Sequence, residues 1–172
     1  LGVAALAGVV AFGTPAQAYL TSFPTPGKCV SAKIKTEGKA AAAYTGCYSK
    51  AASKGLPVDG ACLGKASSKL VTAFGKLDVK GGCITTGDGS GRDADTASYA
   101  SQNNTLVGSA AGKCDGAKQK LVGKYIAGIA GCYAKAAAKA PGTVDNASGG
   151  CTDKVKGKLL AGVTKAETGV DC

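Results

Sequence analysis

Two helical hairpins, each closed by a nested pair of disulfides, packed together as an all-α bundle of four or five helices: this is the fold that the 172 residues predict. Three observations lead to it. Alanine and lysine, both strong helix formers, fill long stretches between few turn signals. The eight cysteines are separated by 18, 15 and 21 positions and then by 18, 19 and 21. From Cys29 to Lys54 the chain also matches itself at 14 positions from Cys114 to Lys139, so one module is written twice.

The composition explains why such a fold needs covalent help. After residue 18, Leu, Ile, Val and Phe fill 25 of 154 positions. That is about 16%, below the roughly 20% under which charged chains normally stay disordered. Alanine buries little area, so the hydrophobic drive per residue is weak. Disulfides supply what a thin core lacks.

Taken in order, residues 1–18 are read as a secretory signal peptide: an uncharged apolar run from Leu1 to Phe12, then an Ala-x-Ala site ending at Ala18. The apolar run is too short to span a bilayer, which takes about 20 residues, and no other membrane-spanning candidate follows. Export places the chain in an oxidising compartment, secreted or periplasmic, where an even cysteine count means disulfides. Residues 19–27 form an N-terminal extension.

Residues 28–83 are the first four-cysteine hairpin. Its first helix runs from about Lys28 to Lys54 and stops at Gly55-Leu56-Pro57, because proline disfavours helix in the residue before it. Asp59 is placed to cap a second helix over about 60–80, which Gly81-Gly82 ends. Residues 84–113 link the modules: a loop through Asp93, then an Ala-rich helix to about Ala111. Residues 114–172 are the second hairpin, broken at Pro141-Gly142, with Asp145 or Ser148 as the cap of its second helix. Gly38, Gly46, Gly123 and Gly131 fall inside helices at about 1 kcal/mol each; small residues there would let two helices approach closely.

Helix geometry selects the disulfide pairing. Cys29 and Cys47 lie on one helix about 27 Å apart at 1.5 Å per residue, far beyond the roughly 7 Å that a disulfide spans between Cα atoms. Folding the chain back near residue 56 brings Cys47 to Cys62 and Cys29 to Cys83. The second half gives Cys132–Cys151 and Cys114–Cys172.

The stretches Cys47-Tyr48-Ser49-Lys50-Ala51-Ala52-Ser53-Lys54-Gly55, Val58-Asp59-Gly60-Ala61-Cys62-Leu63-Gly64-Lys65-Ala66 and Gly81-Gly82-Cys83-Ile84-Thr85-Thr86-Gly87-Asp88 resemble an Ala/Lys-rich four-cysteine helical repeat of secreted bacterial proteins, of the myxobacterial type. The resemblance covers nearly all of residues 28–172. It implies export and carries no catalytic residues. The nested pairing is similar in outline to CHCH hairpins, whose nine-residue cysteine spacing is absent here.

The chemistry available is narrow. Without histidine, no Ser-His-Asp triad, Cys-His pair or His-ligated metal can be built. The cysteines are never closer than 15 positions, which fits neither a zinc ribbon nor a Cys-x-x-Cys redox pair. Asp88, Ser90, Asp93 and Asp95 offer oxygen ligands for Ca²⁺, but Arg92 stands where an acceptor should be and no Glu closes the loop; a capped turn is the plainer reading. No cofactor is expected. Twenty lysines, one arginine and a net charge of +10 are the strongest functional hint. Lys33, Lys50, Lys54, Lys65, Lys69 and Lys76 recur at helical spacings, the mark of a solvated face that attracts anionic surfaces. Sequence-specific nucleic-acid reading, which leans on arginine forks and stacked aromatics, does not follow. The expected function is an exported, non-enzymatic structural or binding scaffold whose ligand and partner the sequence does not name, with anionic surfaces or further copies of the chain as candidates; the alternative is a cationic membrane-active or anionic-surface-binding effector.

Overall fold

The computed structural model describes residues 27–107, 112–139 and 144–169. The signal peptide, residues 19–26 of the extension, the Pro141-Gly142 break and Cys172 lie outside them. Among the described residues five helices follow one another: α1 (Lys28–Lys54), α2 (Gly60–Lys80), α3 (Gly89–Val107), α4 (Lys113–Ala137) and α5 (Cys151–Glu167). Among the described residues there is no strand, and no helix is long and apolar enough to cross a membrane.

The ends of the first hairpin follow local chemistry. α1 stops at Gly55, whose φ of 64° is the left-handed conformation glycine adopts without strain. The Ala61 amide donates to the Asp59 carboxylate at 2.8 Å, capping α2. The later elements depart from expectation. α3 begins at Gly89, four residues before the predicted helix, because Gly89 packs directly over Val71 and Phe74 of α2, where a Cβ would crowd Phe74. At α5 neither Asp145 nor Ser148 provides a side-chain cap. Gly150 is the N-cap residue, and the loop is tied instead by Gly149 N–H donating to Asp153 at 2.8 Å.

Three disulfides stand as predicted. The Cα atoms are 5.1 Å apart in Cys29–Cys83, 5.9 Å in Cys47–Cys62 and 5.8 Å in Cys132–Cys151. The fourth predicted bond ends on Cys172, outside the described residues. The inner bonds bind the turn end of each hairpin, and Cys29–Cys83 ties the open end of the first.

The core is thin where the composition said it would be. Phe74, Leu70 and Val122 are the largest fully buried side chains. Phe74 and Leu70 pack on Ala40, and Tyr44 packs with Ala66 and Ala100. Close approach replaces bulk at the longest seam, α1 against α4. A Cβ on Gly38 would collide with Ala130 and crowd Ala127; a Cβ on Gly123 would collide with Thr45 and crowd Ala42. These contacts are reciprocal: Gly38, Ala42 and Thr45 of α1 sit at the positions that Gly123, Ala127 and Ala130 hold in α4. The two helices therefore run antiparallel, each offering the same face to the other. Ser49 reinforces the seam by donating to the Gly116 carbonyl at 2.6 Å. Gly46 and Gly131, expected to serve the same purpose, have nothing within 4 Å of an added Cβ. They lie off the seam.

Candidate functional site

Among the described residues, three polar clusters and an open groove are places where chemistry could occur. The first centres on Lys33. α1 places its ammonium over the Phe74 ring, 5.0 Å from the centroid, and leaves the residue only 7% exposed. The ammonium meets Asp78 at 2.7 Å and Asp88 at 2.5 Å and donates to the Thr85 carbonyl at 2.7 Å. All three donors are used. Burial opposes the charge on Lys33, but hydrogen bonds to both carboxylates outweigh it and raise the pKa. The Lys33 bond, with the Gly87 amide, holds the Asp78 carboxyl below its usual range; for Asp88 burial pushes the other way, and the bonds from Lys33 and Thr85 win. The cluster fastens the loop between α2 and α3 to α1. With every donor spent, it has no free nucleophile or acid.

The second cluster is Asp93. It accepts from the Tyr44 hydroxyl at 2.7 Å and from the Ser67 hydroxyl at 2.6 Å, so one carboxylate on α3 pins that helix to both α1 and α2. Burial, then the bond to Asp93, pushes the Tyr44 phenol up to about 12. Nearby, Glu37 is pushed up by burial against the opposing pull of Arg92, 3.6 Å away.

The third lies where α3 meets α4. Gln119 donates to Asn104 at 2.5 Å, and Asn103 donates to the Tyr99 carbonyl at 2.8 Å. The space between these residues, Thr45 and Tyr48 has no room for a water molecule. It is a packed joint.

The Ca²⁺ candidates do not converge. Asp88 is bound by Lys33 and Thr85, Asp93 by Tyr44 and Ser67, and Asp95 faces Arg92 at 3.9 Å. The segment with Ser90, Asp93 and Asp95 is helix, so successive carboxylates point to different sides. Among the described residues no set of three His, Cys, Asp or Glu side chains could hold a metal ion.

Of the six lysines expected on a solvated face, Lys50, Lys54, Lys65, Lys69 and Lys76 are exposed. Lys33 is not, because Asp78 and Asp88 draw it into the core. A second lock escaped the sequence reading: Lys118 pairs with Glu167 at 3.1 Å across α4 and α5. The signal was present, since Lys118 matches Lys33 and Glu167 matches Asp78 in the repeated alignment.

The groove lies between α4 and α5, with a volume of about 430 Å³. Lys120, Leu121 and Lys124 of α4 and Gly162 and Lys165 of α5 line it, and among the described residues no acidic side chain does. Comparison with known protein families, curated proteins and solved structures finds no match to the chain.

Proposed function

We propose that the protein is an exported, non-enzymatic scaffold acting outside the cytoplasm, whose stapled hairpins present lysine-bearing helix faces to anionic material. The observation that carries this reading is the use to which the buried polar groups are put. Lys33 joins α1 to α2 and to the loop beyond it, Asp93 joins α3 to α1 and α2, and Lys118 joins α4 to α5. Polar groups drawn inside a catalytic site would converge on a cleft; these converge on other helices. Intramolecular disulfides are compatible with export, as is the expected signal peptide. The exposed large apolar side chains, among them Leu56, Val79, Ile84 and Leu160, are scattered over separate elements. That arrangement supports a scaffold over a membrane-disrupting effector, which needs one broad apolar face.

The test is fractionation of cells whose thiols are alkylated before lysis, followed by mass spectrometry without reduction. The expected result is chain beginning at Tyr19 outside the cytoplasm, carrying the 29–83, 47–62 and 132–151 bonds. Alkylated cysteines in a cytosolic, uncleaved chain would overturn the reading.

A further inference from the structure

The groove between α4 and α5 collects positive charge, and none of the described residues that line it is acidic. Lys120 and Lys124 stand one turn apart on α4, and Lys165 faces them from α5. Lys154 and Lys158 continue the row: at about 100° per residue, Lys154, Lys158 and Lys165 fall within about 40° of one another on α5, along about 16 Å of helix. All five are exposed, and none is in an ion pair with a described residue. Of the acids on α5, Glu167 is paired with Lys118, and the Gly149 amide donates to Asp153.

This arrangement works against the helices that carry it. Like charges four residues apart destabilise a helix by about 0.2–0.5 kcal/mol per pair, and 120/124 and 154/158 are two such pairs. A surface shaped only for solubility would mix the two signs. The same five positions are lysine in the first module, as Lys35, Lys39, Lys65, Lys69 and Lys76. A costly row of exposed ammonium groups along a trough, at positions that are lysine in both modules, is the form of a site for an extended anion.

We propose that this trough binds a strand of acidic polysaccharide. The choice of class rests on what surrounds the charge. Among the described residues the groove has no arginine fork and no aromatic side chain, which leaves no basis there for base-edge reading or base stacking. A bilayer surface is flat and wants apolar side chains beside the cations; here Lys120, Lys124 and Lys165 line a concavity, and Leu160, an exposed apolar residue of α5, lies on the flank opposite the lysine row. A flexible chain of carboxylates or sulfates meets the row by charge alone, and an exported protein meets such chains first. The inference rests on the export reading, yet the two fail separately, because binding is measured on purified protein wherever the cell places it.

The test uses the oxidised full chain with three probes: polygalacturonate, a random-sequence DNA duplex, and vesicles of phosphatidylcholine with phosphatidylglycerol. Two variants each remove four charges. K120Q/K124Q/K158Q/K165Q removes four of the five lysines of the row; K28Q/K80Q/K135Q/K139Q removes exposed lysines elsewhere, Lys135 being about 22 Å along α4 from Lys120. The expected result is salt-sensitive binding to polygalacturonate that weakens about tenfold or more in the first variant and stays within about twofold of the parent in the second. Equal losses in both variants, or tighter binding of the parent to the duplex or the vesicles, would overturn the assignment.

Discussion

At Gly38 and Gly123 a single methyl group decides whether α1 and α4 can touch. Both glycines face backbone or short side chains of the opposite helix, so an added Cβ has no flexible neighbour to push aside. Gly38→Leu should therefore destabilise the protein by about 2–3 kcal/mol through overpacking. Gly46→Ala, with open space at its Cβ, should stabilise it by up to about 1 kcal/mol through helix propensity. Denaturant titration of the two variants reads both signs; equal effects would mean that the seam is not close-packed. Tyr44 offers a test by pH. Unfolded tyrosine loses its proton near 10, and the folded chain holds this one to about 12. Between those values only the unfolded state has released the proton, so the contribution is whole below pH 10 and declines through pH 12. Lys33, also raised, acts in the same direction. Tyr44→Phe should flatten part of that alkaline decline in thermal melts. An unchanged slope would detach Tyr44 from it.

At the scale of elements, α3 is held by few contacts, with Asp93 at their centre. Asp93→Ala removes two hydrogen bonds to a charged acceptor and should cost about 1.5–3 kcal/mol. The loss should be local: amide exchange should accelerate across 89–107 while α1 and α4 stay protected. Uniform acceleration would show that α3 is no separate unit. The loop before α3 should come free in acid. The Asp78 and Asp88 carboxyls titrate below their ordinary value of 3.8, so their contribution is present above that pH and lost as pH falls through the lowered values. How much of this was legible in the sequence depended on locality. Gly55-Leu56-Pro57 and Asp59 announce the α1–α2 turn because stop and cap act within a few residues. The start of α3 was hidden, because Gly87, Gly89 and Gly91 read locally as a loop while the packing of Gly89 on Phe74 and the bonds to Asp93 come from distant segments. Lys33 was misplaced for the same reason: helical spacing assigns it to a lysine face, and only the folded hairpin brings Asp78, the sole acid of α2, beside it. The lysine trough was half visible, in the repeated lysines of both modules. Their convergence across α4 and α5 needed the fold.

Over the whole molecule, hydrophobic burial is lean and covalent closure supports it. Among the described residues alanines supply much of the buried apolar set, and Phe74 is the one phenylalanine of the core. In the chain-entropy picture a 15-residue loop is worth about 3 kcal/mol and a longer one more, comparable with the whole stability of many small domains. Disulfide pairing was legible from spacing because a straight helix forbids bonds along itself and the hairpin then leaves one nested solution. The most direct measurement is a thermal melt of the full chain, followed by far-UV circular dichroism, with all thiols reduced and alkylated and compared with the oxidised form. The account predicts a cooperative transition in the oxidised protein and a gradual loss of helix without a transition in the reduced one. A reduced chain that stayed compact and melted cooperatively near the oxidised temperature would contradict it.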